Sequence, residues 1–210
     1  MVKTAQAFDK LYRRGVPLPW NVDGPTPFVR ELEQQGQIRG KVLDAGCGTG
    51  ENALFLAERK HYVVGFDGAP AAIEMARAKA AARELPVDFR VADARDLRGF
   101  EGPFDTIVDS GLFHVFDRKA DRLHYAASLR RVCGPGSTLH LLAFRADERP
   151  RLVGANQLRF RLQRLLTGFG THGVSEAELR EAFSEGWAVD SLTARVDGNH
   201  HFYLAQIRCV

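Results

Sequence analysis

The stretch KVLDAGCGTGENALFLA, residues 41–57, constrains this chain more than any other. An apolar run enters a turn in which Gly46, Gly48 and Gly50 take every second position, and a helix-forming run follows. The pattern predicts a strand, a glycine turn and a helix. Glycines tolerate positive φ and let the backbone come close to a ligand. In an open parallel sheet, ligands bind at the carboxyl ends of the strands near the point where strand order reverses, and the turn after the first strand is the usual place. The spacing differs from the dinucleotide fingerprint G-x-G-x-x-G, which sets a helix N-terminus against a pyrophosphate. Here the third glycine comes one residue early, and Asp44 stands just ahead of the turn. An acid there opposes a pyrophosphate and favours a ligand carrying an ammonium or sulfonium charge.

The rest of the chain alternates in the same way. YVVGFD, VDFRVAD, FDTIVDS and TLHLLAF read as further strands, with Val87, Phe89 and Val91 alternating in the third. ENALFLAER, PAAIEMARAKAAARE and RKADRLHYAASLRRV read as helices, the second opened by Pro70 and rich in alanine. Leu54, Leu56 and Ala57 face inward in the first of them. Strands alternating with helices imply a parallel sheet covered on both faces. SEAELREAF carries a capping box, Ser175 and Glu178. WAVDSLTARV and HHFYLAQIRC, joined through DGN, read as a hairpin. The expected fold is α/β: a Rossmann-like three-layer sandwich, its seven-stranded sheet mostly parallel and closed by an antiparallel C-terminal hairpin. One domain spans 1–210. Residues 1–38 form an N-terminal extension over the site, broken through Pro27 by four prolines in YRRGVPLPWNVDGPTP. Residues 39–145 form the core, 146–175 a candidate substrate cap, and 176–210 the last helix and hairpin.

Composition excludes several classes. The chain has 210 residues, 45% hydrophobic and 26% charged, which suits a globular domain with a real core. No apolar run approaches the roughly 20 residues of a membrane helix, and the N-terminus lacks the apolar core of a signal peptide. Cys47, Cys133 and Cys209 share no close spacing, which fits neither a disulfide framework nor a zinc site and suits the cytoplasm. A formal charge of +3 does not argue for nucleic acid.

Two more acids complete the pattern. Asp67 ends the second strand, where a carboxylate takes ribose hydroxyls. Asp93 follows the third, where one can accept from an adenine amino group. The implied ligand has a cationic amino-acid-like end, a ribose and an adenine. The blocks VLDAGCGTG, VVGFDGAPAAIEMAR, FRVADARDL and FDTIVDSGLFHVF, in this order, resemble the class I S-adenosylmethionine-dependent methyltransferases. The resemblance implies cofactor contacts from Asp44, Gly46, Cys47, Gly48 and Gly50 at the methionine end. It implies Asp67 and Gly68 at the ribose, Asp93 and Ala94 at the adenine, and Ser110 and Gly111 beside the methyl group. Cys47 itself is expected to be chemically inert. Asp67 also suits a helix cap, which is compatible with binding. LPWNVDGPTP resembles the N-terminal cover of small methyltransferases acting on thiols, halides and thiopurines. Trp20 either packs on the cofactor or lies outside the sheet.

Over the methyl group, His114 is the candidate catalytic base, with a packing role as the alternative. Phe113 and Phe116 line the pocket or the core, and His140 is structural. NQLRFRLQRLL reads as a basic amphipathic helix. Its Arg159, Arg161 and Arg164, with Arg151, either attract an anion above the site or form a solvated face. Phe160 and Phe169 would add apolar walls. No NPPY-type tetrapeptide follows the fourth strand, and no Lys, Asp and His set marks a metal-dependent catechol enzyme. The expectation is a metal-free enzyme, monomer or homodimer. It would methylate a small molecule at oxygen or sulfur, in detoxification or secondary metabolism. Two rivals are a binding module for S-adenosylmethionine and a nicotinamide oxidoreductase. Glycine spacing and the absence of a Tyr-x-x-x-Lys disfavour the latter.

Overall fold

The computed structural model describes residues 2–15, 17–146, 173–198 and 200–210. Seven strands form one sheet: β1 (Lys41–Ala45), β2 (Tyr62–Asp67), β3 (Asp88–Val91), β4 (Phe104–Ser110), β5 (Cys133–Phe144), β6 (Trp187–Asp197) and β7 (His200–Cys209). Their order is β3-β2-β1-β4-β5-β7-β6. Neighbours among the first five run parallel, and β7 lies antiparallel between β5 and β6. Strand β1 pairs with β2 on one side and β4 on the other, so the order reverses there and a crevice opens at the carboxyl ends of β1 and β4.

Successive side chains on a strand point to opposite faces, and β1 shows what each face buries. Leu43 joins Val64, Phe66 and Ile107 in a core closed by Tyr125 and Leu129 of α5 (Lys119–Arg131) and Leu179 of α6 (Glu176–Ala182). Val42 joins Val63 and Val108 on the other face. That core is closed by α2 (Pro27–Gln34), by α3 (Glu51–Glu58) and by α4 (Pro70–Ala82), through Val29, Leu54 and Ile73 among others. Each fully buried side chain of this size contributes about 1.5–3 kcal/mol. The two cores together give the expected sandwich. The expected capping box is present: Ser175 accepts from the Glu178 N–H, and the Glu178 carboxylate accepts from the Ser175 N–H.

The broken chain expected around the four prolines runs between two helices, α1 over Val2–Arg13 and α2 from Pro27. Phe8, Leu11 and Tyr12 stand at helical spacing, and Leu11 and Tyr12 are buried in a small cluster with Ala69, Ala71 and Ala72 of the segment leading into α4. Ala69 opens α4 with no side-chain cap, and Asp9 of α1 supplies it, accepting the Ala71 N–H at 2.7 Å. Thr26 caps α2, with Pro27 at its first position. One expectation is corrected: in β3, Phe89 is buried but Val91, on an edge strand, is 49% exposed and lines an open cleft beside α1. The basic segment with Arg151, Arg159, Phe160, Arg161, Arg164 and Phe169 lies outside the described residues, as does Asn199 of the hairpin turn. No described helix is long and apolar enough to cross a membrane.

Candidate active site

The crevice is built from three strand ends and a helical roof. After β1, Gly46, Gly48 and Gly50 hold φ of 70°, 53° and 86°, all in the left-handed region. Gly50 is the N-cap of α3, and a Cβ there would come within 2.6 Å of the Phe89 ring and 3.0 Å of Ala76. The turn therefore packs directly on β3 and α4, which only a residue without a side chain allows. Cys47 is buried within it, and burial pushes its thiol well above the ordinary range, as an inert cysteine requires.

Asp44 lies beneath the turn, 1% exposed. It accepts the Ala53 N–H at the start of α3, while its Oδ2 has no hydrogen-bond partner. Burial raises its pKa to about 7, with Asp109 and Asp67 adding repulsion. An orphaned buried carboxylate oxygen is costly, and a cationic donor is the partner that would satisfy it. Asp67 joins this turn to the next one. Its Oδ2 accepts the Gly48 N–H at 3.0 Å and its Oδ1 the Ala69 N–H at 2.8 Å. Burial nonetheless raises its pKa. Asp67 thus holds the backbone on both sides of the crevice, while Asp9 caps α4. Gly68 faces Ala5 of α1, whose Cβ would be 3.0 Å from a Cβ at that position.

Asp93 and Ala94 follow β3. Asp93 lines a cleft of about 670 Å³ together with Gly68, Pro70 and Val91, roofed by Ala5, Gln6, Asp9 and Lys10 of α1. Ala94 is buried, and its carbonyl accepts from the Ser128 hydroxyl of α5. At the tip of β4, the Ser110 hydroxyl donates to Thr26 Oγ1 at 3.3 Å, which ties the N-terminal segment to the crevice. Thr26 also donates its N–H to Asn52 of α3 at 2.9 Å. Gly111 follows with φ of 106°.

His114 stands in the single 3-10 turn after β4, Phe113–Val115. Its Cε1 is 3.2 Å from where a Cβ on Gly111 would be, and its ring meets Phe144 edge-on at 4.7 Å. Nδ1 accepts the Phe144 N–H at 3.4 Å. A neutral imidazole so held carries its proton on Nε2 and offers a donor there. Burial pushes its pKa down to about 4, so the ring is neutral at ordinary pH. Trp20 packs on α1: its Nε1 donates to the Tyr12 hydroxyl at 3.1 Å and its ring meets Phe8 edge-on, while 41% of it stays exposed. Phe113 and Phe116 belong to the core. His140 is buried in β5, with Nε2 unpartnered.

Two participants were not anticipated. Tyr12 places its hydroxyl 3.1 Å from where a Cβ on Gly48 would stand, directly over the glycine turn. Its signal was the Phe8-Leu11-Tyr12 spacing. Asp109, fully buried, accepts the N–H groups of Gly111, Leu112 and Phe113 and the Tyr125 hydroxyl at 2.8 Å. It shapes the loop that carries Gly111 and His114. Its signal was an acid inside an otherwise apolar strand, since a carboxylate cannot be buried there without donors. Among the described residues, no group of three or more His, Cys, Asp or Glu side chains could hold a metal ion.

Known proteins share this arrangement. Residues 42–136 match the model of a methyltransferase domain family. The 2-heptyl-1-hydroxyquinolin-4(1H)-one methyltransferase of Mycobacteroides abscessus is 39% identical over 200 residues, covering 91% of this chain and 81% of that protein. A structure solved in work on the conversion of a disulfide bond into a thioacetal group during echinomycin biosynthesis superposes with a TM-score of 0.84. It is 36% identical and covers 98% of this chain and 91% of its own. The N-methyltransferase NodS from Bradyrhizobium japonicum WM9, solved with S-adenosyl-L-homocysteine, shares the fold at a TM-score of 0.68 and 19% identity, covering 98% of both chains. With its glycine turn, its three strand-end acids and a relative this similar along nearly its whole length, the chain belongs to the class I S-adenosylmethionine-dependent methyltransferases that act on small molecules.

Proposed function

We propose that this enzyme methylates oxygen on a small phenol or hydroxylated heterocycle. The observation that carries the reading is the wall at the tip of β4. There the neutral, buried His114 imidazole meets Phe144 edge-on beside Gly111. A flat apolar wall with one polar ring nitrogen suits a planar acceptor with one polar atom. The hydroxyquinolone methyltransferase relative supports the same substrate class. In this reading Asp44 and the Gly46–Gly50 turn take the amino-acid end of the cofactor, and Asp67 and Gly68 its ribose. Asp93 and Ala94 take the adenine, Ser110 and Gly111 flank the methyl group, and Tyr12 and Trp20 cover it. The acceptor hydroxyl gives its proton to solvent water and its oxygen takes the methyl carbon from the sulfonium, giving a methyl ether and S-adenosylhomocysteine. The sulfonium is already activated, so alignment and exclusion of water carry most of the catalysis. His114 orients the acceptor oxygen through its Nε2 proton.

Sulfur is the second acceptor, favoured by the likeness to the structure from work on a disulfide-to-thioacetal conversion. Such reactions belong to detoxification or secondary metabolism, need no metal, and suit a cytoplasmic monomer or homodimer acting on a free small molecule. A labelled-methyl assay across phenols, hydroxylated heterocycles and thiols, with the product identified, tests the reading. Transfer to hydroxyl compounds is expected. Transfer to thiols alone would establish the second reading instead.

A further inference from the structure

Asp93 is bound on both oxygens by a single neighbour. Arg95 donates its N–H to Oδ1 at 2.8 Å, Nε to Oδ1 at 3.2 Å and Nη2 to Oδ2 at 2.9 Å. The remaining arm, Nη1, donates to Asp121 Oδ1 of α5 at 2.6 Å. The Asp93 side chain is 37% exposed and Asp121 only 12%. Arg95 therefore links an accessible acid at the cleft to a nearly buried one in a helix.

Arg95 does not line the cleft that Asp93 lines. It lines a separate surface groove with Asp96, Arg98, His124 and Arg131. It sits behind the acid, where it can hold the carboxylate without touching what the carboxylate binds. A half-exposed aspartate on its own turns freely about its side-chain bonds, and fixing it in water costs entropy at each binding event. The guanidinium fork removes that freedom in advance, because its planar geometry matches a carboxylate plane. The count of acceptor sites is also informative. Oδ1 takes two donors and Oδ2 takes one, so Oδ2 keeps one lone pair free.

The geometry points to Arg95 as a positioning residue that aims one free acceptor of Asp93 at the cofactor's purine, and so sets the preference for a 6-amino over a 6-oxo base. This rests on the assignment of Asp93 to the adenine. A 6-amino group presents an N–H to that lone pair. A 6-oxo group presents a second acceptor and is repelled. Asp121 is part of the device, since without it the arginine loses its anchor on α5.

The test compares the affinities of S-adenosylhomocysteine and its inosine analogue for the wild-type enzyme and for Arg95→Met and Asp121→Asn. The wild type should prefer the amino purine by about 10–100-fold, the range of one hydrogen bond to a charged group. Arg95→Met should cut that preference to less than about threefold, mostly by weakening the amino ligand. Asp121→Asn, which keeps the arginine and the shape of the site, should cut it by a smaller factor and serves if Arg95→Met does not fold. A general loss of affinity for both ligands at an unchanged ratio would mark Arg95 as merely structural and overturn the inference. So would a full preference in Asp121→Asn combined with a full preference in Arg95→Met. A wild type with no preference for the amino purine would instead overturn the assignment of Asp93 on which the inference stands.

Discussion

Asp67 Oδ2 accepts the Gly48 N–H at 3.0 Å, so the acid at the end of β2 and the glycine turn at the end of β1 are one mechanical unit. In the proposed site, removing the carboxylate would take away the ribose acceptor and release the turn together. Asp67→Ala should weaken S-adenosylmethionine binding by at least about tenfold, since each hydrogen bond to a charged group is worth roughly 1.5–3 kcal/mol. Cys47→Ala, which removes only a packed thiol, should stay close to wild type. Titration calorimetry on both variants decides it, and equal dissociation constants would contradict the role of Asp67.

If Asp44 takes the cofactor's amino group as proposed, cofactor binding should depend on pH. In the free enzyme, burial holds its pKa at about 7, so the acid is half protonated near neutrality. An ammonium group placed against Oδ2 favours the charged form, and binding must then expel the proton. Affinity should rise with pH up to and through the free pKa, by at most about tenfold per pH unit on the acid side, and level off above it. Asp44→Asn should flatten the curve and bind weakly at every pH. Calorimetry in buffers of different ionisation enthalpy counts the released protons, and proton uptake would have the wrong sign.

Gly50 and Gly99 have nearly the same backbone, with φ of 86° and 88°, but opposite surroundings. A Cβ on Gly50 meets Phe89 at 2.6 Å, whereas one on Gly99 meets nothing within 4 Å. Gly99→Ala should cost only the left-handed penalty, about 1–2 kcal/mol. Gly50→Ala adds overpacking against Phe89 and Ala76, for a total of about 2–5 kcal/mol. Urea unfolding of the two variants separates conformation from contact. A similar loss in both would mean that Phe89 yields freely.

The parallel sheet, the hairpin and the strand-end acids were legible because each is written locally. Asp44, Asp67 and Asp93 each follow an apolar run, and Ser175 and Glu178 carry a complete cap in four residues. What sequence missed depended on distant partners. The four prolines give the irregular chain expected around Trp20, whereas α1 ahead of them forms because Leu11 and Tyr12 find the alanine face at the start of α4. Nothing local shows that Asp9 caps that helix or that Asp109 gathers three N–H groups and the Tyr125 hydroxyl. The low pKa of His114 is hidden in the same way, since its burial involves Phe144, thirty residues along the chain.

The same burial favours a donor over a base role for His114 in the proposed reaction. A base must hold a free lone pair and titrate near the working pH. The Nδ1 lone pair of His114 faces the Phe144 N–H, and the pKa of about 4 leaves the imidazole a weak base. What it offers instead is the Nε2 proton, a donor that can hold the acceptor oxygen in line with the methyl group. His114→Gln puts an amide nitrogen near the place of Nε2 and keeps a donor without any basicity. With a phenol substrate, His114→Ala should lower kcat by about 10²-fold, whereas His114→Gln should stay within about tenfold of wild type. Cofactor affinity should be nearly unchanged in both. The wild-type rate should show no loss at the ordinary histidine pKa of about 6.5, and any acid limb from this residue should fall near pH 4. Its sign follows from the depressed pKa: above about 4 the ring is neutral and held by the Phe144 N–H, and below it a proton on Nδ1 breaks that bond and displaces the ring, although Nε2 keeps its proton. A base mechanism predicts the reverse pattern, with Gln as damaging as Ala and an acid limb that vanishes in both variants. Single-turnover rates of the three proteins across the pH range, with thermal melts to confirm folding, distinguish the two, because only a donor is rescued by a side chain that cannot take up a proton.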